Sequence, residues 1–187
     1  MKISTVFLDR DGVLNEDKPP YLIRVEDVVI HRDVPAALRQ LTEAGIRVVV
    51  VSNQGGVGRG LHSYENAERI FRAVVEGAES GGGKILDWYF CPHAPEAGCG
   101  CRKPETGMIE QAVRKHGIDL KGAVLVGDGF GDACLAQRLQ MPFFLVRQGW
   151  GERTRISCDD AGVPFRQVEN LQDAVNRILK MNKENQI

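Results

Sequence analysis

Long apolar runs are absent from this 187-residue chain, and so is an excess of charge of one sign. No segment approaches the ~20 consecutive apolar residues that a membrane-spanning helix needs, so we expect no membrane partner. The formal net charge of −1 gives no electrostatic reason to expect nucleic acid as a partner either. The chain also lacks repeats, low-complexity tracts and an evident linker. These absences exclude a repeat array and favour a single folded unit.

The composition that is present fits one globular domain over residues 1–187. Apolar residues make up 43% of the chain and charged residues 26%, which suits a substantial core. The apolar run before Asp9 is interrupted too early to form the core of a signal peptide, so we expect a cytoplasmic protein. We further expect a monomer, with the polar residues 181–187 fraying at the end of the chain.

Strand-like and helix-like segments alternate along the chain, which is typical of a parallel sheet covered on both faces. Right-handed crossovers would close these segments into a doubly wound α/β sheet. The predicted strands are residues 3–8, 47–52, 87–91, 123–126 and 143–146. The predicted helices are residues 34–44, one from residue 63 towards the glycines at 81–83, 106–116, 131–139 and 171–179, with Asp33, Ser63 and Thr106 as expected N-caps.

Two acidic residues close the first predicted strand. Asp9 and Asp11 follow a short apolar run, and Gly12 lets the backbone turn away there. Their side chains point the same way in an extended segment, because side chains repeat with a period of two. Two such carboxylates repel unless a cation lies between them, and hard oxygen ligands suit Mg²⁺. The pattern indicates phosphate chemistry, although an ordinary Asx-turn would show the same short sequence.

Three more segments place phosphate-binding side chains after a predicted strand or before a predicted helix. In chain order they carry Ser52 with Asn53 and Gln54, then Arg102 with Lys103, then Asp128 with Asp132. Glycines follow the first of these segments, and the second supplies cations. The carboxyl ends of strands in a doubly wound sheet are where ligands bind. We therefore expect these side chains to meet.

This order of motifs resembles that of the haloacid dehalogenase superfamily of aspartate-nucleophile phosphatases. The matching residues are Asp9 and Asp11, Ser52, Lys103, and Asp128 with Asp132, within about residues 3–146. Four motifs in the right order are more specific than any one of them. The resemblance implies a Mg²⁺-dependent phosphatase acting on a small sugar phosphate.

The resemblance also implies a role for each matching side chain. Asp9 attacks phosphorus, and Asp11 protonates the leaving oxygen and later takes a proton from water. Lys103 and Mg²⁺ neutralise the phosphoryl oxygens, which Ser52 also contacts. The side chains of Asp9 and Asp128 and the main-chain carbonyl of Asp11 would hold Mg²⁺, with Asp132 behind them.

Three of the five cysteines and one histidine lie within eleven residues. Cys91, His93, Cys99 and Cys101 share this segment with Pro92, Pro95, Gly98 and Gly100, which favour a tight loop. Four such ligands indicate a closed, structural Zn²⁺ site over residues 91–101. A disulfide or free thiols remain the alternative, which a cytosolic setting disfavours. We expect Cys134 in an apolar helix and Cys158 in a polar loop, neither as a ligand.

The zinc loop followed by Arg102 and Lys103 resembles a narrower group, the D-glycero-D-manno-heptose 1,7-bisphosphate phosphatases and the related histidinol-phosphate phosphatases. Both groups are small and lack a large cap, so we expect an open mouth with the zinc loop as its wall. The glycine loop carrying Arg59 is closer to the heptose branch. The chain departs from that branch at Lys18-Pro19-Pro20 and at Gly129, where a Lys is common.

The expected substrate contacts are Asp17, Lys18, Asn53, Gln54, Arg59 and Arg102. Arginine forks match phosphate oxygens, so Arg59 and Arg102 are candidates for a second phosphate, although Arg59 could equally be a solvated loop charge. Removal of the C7 phosphate from a heptose bisphosphate is the function this pattern favours. The alternatives are a histidinol-phosphate phosphatase, a phosphotransferase or phosphonatase, a nucleic-acid end-processing phosphatase and a non-catalytic zinc-loop interaction module.

Overall fold

One parallel sheet of six strands organises the chain in the computed structural model, which describes residues 2–184. The spatial order of the strands is β3-β2-β1-β4-β5-β6. The strands are β1 Thr5–Leu8, β2 Arg47–Asn53, β3 Asp87–Cys91, β4 Ala123–Gly127, β5 Phe143–Val146 and β6 Arg166–Val168. Thr5 of β1 lies opposite Arg47 on one side and Ala123 on the other. The order reverses at β1, so the crevice expected of a doubly wound sheet lies at its carboxyl end.

Helices cover both faces of this sheet. They are α1 Val34–Glu43, α2 Gly55–Gly58, α3 Tyr64–Glu79, α4 Gly107–His116, α5 Phe130–Arg138, α6 Gly151–Ala161 and α7 Leu171–Glu184. Val6 and Leu8 pack with α1, α3 and α7 in one core, while Phe7 packs with α4, α5 and α6 in the other. This alternation explains why β1 reads as a continuous apolar run. The predicted α/β fold is confirmed.

Three elements were not predicted from the sequence. The short α2, the mostly charged α6 and the three-residue β6 lack a strong apolar period. The expectation that Cys158 lies in a polar loop was wrong, because it lies in α6 and is fully buried against the second core. Cys134 lies in α5 as expected.

The three expected N-caps behave differently. The Ser63 hydroxyl accepts a hydrogen bond from the Asn66 N–H at 3.1 Å, as predicted. Asp33 and Thr106 occupy N-cap positions, but their side chains do not cap. Asp33 accepts from the Gln172 N–H at 3.0 Å, and Thr106 donates to Glu110 Oε1 at 2.6 Å. Contacts to other partners outweigh the local preference there.

The end of the chain is more ordered than its polar composition predicts. Helix α7 continues to Glu184, so the expectation of fraying was wrong for residues 181–184, and residues 185–187 lie outside the described part. The buried Asn182 accepts from the Ile3 N–H at 2.6 Å and donates to the Ile3 carbonyl at 2.8 Å. Across residues 2–184, no helix has the length and apolar character needed to cross a bilayer.

Candidate active site

The carboxyl ends of three neighbouring strands meet at one cavity of about 290 Å³. Strand β1 delivers Asp9, β2 ends with Ser52 and Asn53, and Asp128 follows β4. The predicted residues that line the cavity are Asp9, Asp11, Asp17, Ser52, Asn53, Gln54, Arg102, Lys103, Asp128 and Asp132. The parallel sheet therefore brings together side chains that are far apart in the sequence.

Lys103 is the buried cation of this cavity. Its Nζ lies 2.9 Å from Asp9 Oδ1 and 2.6 Å from Asp132 Oδ1, and it donates to the Val51 carbonyl at 2.9 Å. Burial alone would lower the pKa of Lys103, but the charges of Asp132 and Asp9 outweigh it and raise the pKa. Lys103 is therefore a permanent positive charge beside the predicted nucleophile.

Asp11 is held by a buried arginine that the sequence did not single out. Arg10 is 1% exposed, and its Nη2 donates to both carboxylate oxygens of Asp11 at 2.6 Å. Asn15 and Gln54 donate to the same carboxylate at 2.9 Å each. Burial alone would raise the pKa of Asp11, but the Arg10 charge and these hydrogen bonds outweigh it and lower the pKa. The structure therefore holds Asp11 ionised.

Three carboxylates form a cluster suited to a divalent cation. Asp9, Asp128 and Asp132 place ligand atoms within 4.8 Å of one another. Burial and the charge of Asp9 raise the pKa of Asp128 to about 8 and that of Asp132 to about 7. Such crowding of acids beside one lysine leaves negative charge that a hard cation would neutralise.

Contacts within the cluster separate the expected ligands from Asp132. One Asp132 oxygen forms an ion pair with Lys103 Nζ at 2.6 Å, and the other accepts a hydrogen bond from the Gly129 N–H at 3.1 Å. Asp9 Oδ1 accepts from Lys103 and from the Arg10 N–H, and Asp128 Oδ2 accepts from the Trp150 N–H. In residues 2–184 the second oxygens of Asp9 and Asp128 have no protein hydrogen-bond partner. The donor set therefore fits a Mg²⁺ ion on Asp9 and Asp128.

Two amide side chains at the end of β2 hydrogen-bond to Lys103, Asp11 and Ser52. Asn53 Oδ1 accepts from the Lys103 N–H at 2.9 Å, and its amide donates to the Lys103 carbonyl at 3.1 Å. Gln54 donates to Asp11 and to the Ser52 hydroxyl oxygen at 2.9 Å each. Asn53 thus fixes the main chain of Lys103 by two hydrogen bonds, and Gln54 connects the Asp11 carboxylate to the Ser52 hydroxyl.

The predicted zinc ligands also converge. Cys91, His93, Cys99 and Cys101 place their ligand atoms within 4.8 Å of one another, and the cysteines are free. Their Sγ atoms lie 3.1, 3.5 and 3.6 Å apart, near the ~3.8 Å edge of a tetrahedron with metal–sulfur bonds of ~2.3 Å. The separations exceed a disulfide bond. The set therefore fits a four-coordinate soft cation.

Known proteins are similar to this chain in both fold and sequence. A family model described as Hydrolase_like, HAD-hydrolase-like, matches residues 100–174. A probable D-glycero-D-manno-heptose-1,7-bisphosphate 7-phosphatase of Thermoplasma acidophilum is 39% identical over 145 residues, which cover 77% of this chain and 90% of that protein. The chain belongs to this phosphatase family.

Two further relatives agree with this assignment. The D-glycero-beta-D-manno-heptose-1,7-bisphosphate 7-phosphatase of Pseudomonas aeruginosa is 36% identical over 154 residues, 82% of this chain and 86% of that protein. The crystal structure of the D,D-heptose 1,7-bisphosphate phosphatase of B. bronchiseptica, complexed with magnesium and phosphate, superposes with a TM-score of 0.87 at 31% identity. That comparison covers 97% of this chain and 99% of the other.

The structure does not place every expected substrate contact at the cavity. Arg102 lines the cavity and donates to the His93 carbonyl at 3.2 Å. Arg59 lies outside the cavity lining and is 3.0 Å from Glu96. Lys18 is also outside the lining, with its Nζ 3.7 Å from Glu16. The roles of Arg59 and Lys18 in binding substrate stay predictions.

Residues outside the expected set of contacts complete the mouth of the cavity. Pro20 and Tyr21, in and next to the Lys18-Pro19-Pro20 segment where the chain departs from the family pattern, line it from the loop after β1, and so does Leu22. The sequence reasoning missed Trp150, which lines the cavity from the loop after β5. Trp150 lies between two glycines, four residues after the end of a predicted strand, and that position was the signal available in the sequence. A cap domain could lie between Asp11 and Asp33 or between Asn53 and Lys103. The first interval contains only the three-residue helical turn Val25–Asp27, and the second contains α2, α3, β3 and the Cys/His loop.

Proposed function

We propose that this protein is a Mg²⁺-dependent phosphomonoesterase that removes the C7 phosphate of D-glycero-D-manno-heptose 1,7-bisphosphate through an aspartyl-phosphate at Asp9. The observation that supports the chemistry is the position of the Asp9 carboxylate, whose Oδ1 lies 2.9 Å from the buried Lys103 Nζ at the carboxyl end of the sheet. The observation that carries the substrate is the similarity to named heptose bisphosphate phosphatases over most of both chains.

Charge explains why Asp9 needs these neighbours. A phosphate monoester dianion repels a carboxylate, so attack requires positive charge on the phosphoryl oxygens. Lys103 supplies one such charge and Ser52 a hydrogen bond from the end of β2. Bound Mg²⁺, held by Asp9 and Asp128 with Asp11 contributing its main-chain carbonyl, would supply the rest by electrostatic stabilisation.

Asp11 moves the protons. It protonates the leaving sugar oxygen when the aspartyl-phosphate forms, and it takes a proton from the water that hydrolyses this intermediate. The base half of this cycle matches the carboxylate held ionised by Arg10. The acid half requires the carboxylate to take up a proton and leave the Arg10 contact. The Arg10 contact therefore keeps Asp11 in the ionised form that is needed before the second proton transfer, and it opposes every step that adds a proton to Asp11.

The Cys/His loop acts as a structural support in this proposal. All four positions are protein ligands, so bound Zn²⁺ would have no place for water. The loop runs directly into Arg102 and Lys103, and its His93 carbonyl accepts from the Arg102 guanidinium. A rigid loop would thus fix the lysine beside Asp9 and the arginine towards the second phosphate.

One chain supplies the whole set of groups that the reaction needs, from Asp9 to Asp132. This completeness supports a monomer as the active form. A small sugar bisphosphate as substrate supports a cytoplasmic enzyme.

The test is a phosphate-release screen with Mg²⁺ over the heptose bisphosphate, its monophosphates, other sugar phosphates and histidinol phosphate. The bisphosphate should give the highest kcat/KM, because an arginine that binds the second phosphate applies remote binding energy at the reacting centre. A higher kcat/KM for histidinol phosphate would move the assignment to the runner-up. Failure to release phosphate from any ester would favour the non-catalytic zinc-loop module.

A further inference from the structure

Trp150 is an exposed aromatic residue at the mouth of the active site. Its side chain is 48% exposed and lines the cavity that contains Asp9 and Lys103. It lies between β5 and α6, in a segment that carries none of the four motifs. A single exposed aromatic residue is common by itself, so it is the place of Trp150 at the mouth of the active site that makes it a candidate substrate contact.

The main chain of Trp150 is rigidly held. Its N–H donates to Asp128 Oδ2 at 2.9 Å. Gly149, with φ of 58°, packs so closely on the Asp128 carboxylate that a side chain there would collide with it. Gly151 is packed in the same way against the Val146 carbonyl. The indole is therefore presented from a fixed backbone, as a recognition element requires.

The indole joins two loops across the mouth. Its Nε1–H donates to Asp17 Oδ2 at 2.8 Å, which connects the loop after β5 with the loop after β1. Arg153 lies over the ring, 5.5 Å from the ring to the guanidinium carbon. This contact restricts the indole further.

The ring separates the active site from a second, shallower cavity of about 260 Å³. Arg153, Phe130, Thr154 and Ser157 line only the shallow cavity, whereas Trp150 and Gly129 line both. Because Gly129 has no side chain, the indole is the bulky group between the two spaces. Its position decides how far a leaving group can extend on this side.

We infer that Trp150 is a specificity-determining residue that selects a polyhydroxylated leaving group, an inference that rests on the proposed phosphatase function. The indole face packs against the C–H side of the sugar. The indole N–H fixes the Asp17 carboxylate so that it accepts hydrogen bonds from sugar hydroxyls. A small leaving group without hydroxyls gains from neither contact.

Steady-state kinetics of Trp150→Phe and Trp150→Ala test the inference. We expect kcat/KM for the heptose bisphosphate to fall roughly tenfold in the Phe variant, as for one hydrogen bond to a charged group, and further in the Ala variant. The fall should lie mainly in KM. In the Phe variant, an aryl phosphate without hydroxyls should lose less than about threefold, because it makes no hydrogen bond through Asp17 and its ring can stack on Phe as on Trp. Ile156→Ala, at an exposed position of the following helix α6, is the matched control.

Fluorescence gives a readout that does not depend on turnover. The chain has two tryptophans, so Trp88→Phe leaves Trp150 as the single tryptophan, which can be excited selectively over tyrosine, and Asp9→Asn in the same chain prevents hydrolysis. With Mg²⁺ present, the sugar bisphosphate should change the Trp150 emission at saturation, and inorganic phosphate should change it much less.

The outcomes separate this inference from the proposed substrate. Equal losses on the aryl and sugar substrates, or an unchanged emission with a bound sugar phosphate, would overturn the role of Trp150. If a different sugar phosphate is the preferred substrate, the heptose assignment fails, and the same two measurements with that substrate decide the role of Trp150. Release of phosphate from no ester at all would remove both.

Discussion

The carboxylate cluster and the Cys/His loop are two candidate metal sites that are built in opposite ways. Asp9 and Asp128 follow separate strands and Lys103 follows the Cys/His loop, so the three meet only because the sheet is complete. The four soft ligands come from residues 91–101 of one loop. The acids are nearly fully buried, whereas Cys99 and Cys101 remain partly exposed. The arrangement of the acids therefore depends on the complete fold, whereas we expect the structure of the loop to depend on a bound ion.

The two sites are joined at Arg102 and Lys103. Arg102 contacts the His93 carbonyl of the loop, and Lys103 lies against Asp9. Asn53 clamps the main chain of the lysine from β2. A substitution in either site should therefore also affect the other, and we expect the size of that effect to differ between the two sites.

The largest effect should follow Asp9→Asn. The amide keeps the shape of the side chain but is a poor nucleophile, so turnover should fall by more than about a thousandfold. The melting temperature without Mg²⁺ should stay unchanged or rise, because the change removes one of three crowded carboxylates. Phosphate release and a thermal melt measure the two quantities. Activity above roughly a tenth of the wild-type value would refute the nucleophile role.

Cys99→Ser in the Cys/His loop should lower stability clearly and activity moderately, whereas Asp9→Asn should lower activity alone. Loss of one zinc ligand should lower the melting temperature clearly and reduce activity by about ten- to a hundredfold, by misplacing Lys103. Metal analysis should find about one zinc per wild-type chain and less in the variant. Cys134→Ser, on α5, is the control that removes a thiol outside the loop. A zinc-free wild-type protein that is folded and active contradicts this interpretation.

A smaller effect should distinguish the two arginines. Arg102→Ala should reduce the preference for bisphosphate over monophosphate by about tenfold, because a phosphate–arginine contact is lost. Arg59→Ala should change that preference by less than about threefold, since an exposed arginine paired with Glu96 contributes little. Paired kcat/KM values for the two substrates give both numbers. A larger effect at Arg59 would place the second phosphate near α2 instead.

The fold was predictable where the sequence carries strong periodicity or residues with one dominant use. The apolar runs of the central strands and the alternating helices gave the α/β sheet, and the cysteine spacing gave a loop whose ligand atoms do converge. Elements α6 and β6 were missed because their residues are mostly charged or few. Tertiary contacts, such as that of Asp33 with Gln172, overrode local capping preferences that the sequence alone suggests.

The candidate site was predictable in its acids and lysine but not in the residues that position them. Arg10 stands between the two motif aspartates, and an arginine there reads as an exposed charge until the structure shows it buried against Asp11. Trp150 meets Asp17 across 133 residues of sequence, a distance over which no local pattern can report contact. The spacing of residues in the sequence identifies catalytic groups that belong to short motifs. It does not identify pairs of residues, such as Trp150 and Asp17, that are far apart in the sequence and meet only in the folded chain.

The pairing of Asn182 with Ile3 sets an order of events during synthesis. The buried amide of the last helix is the hydrogen-bond partner of the main chain just before β1, the strand that leads to Asp9. A ribosome makes Asn182 179 residues after Ile3, so this bond must wait until the chain between them has emerged. The strand that leads to the predicted nucleophile Asp9 is thus translated before α7 but is fully secured only after α7 has formed. A nascent chain that stalled before α7 would leave the two main-chain groups of Ile3 without their partner.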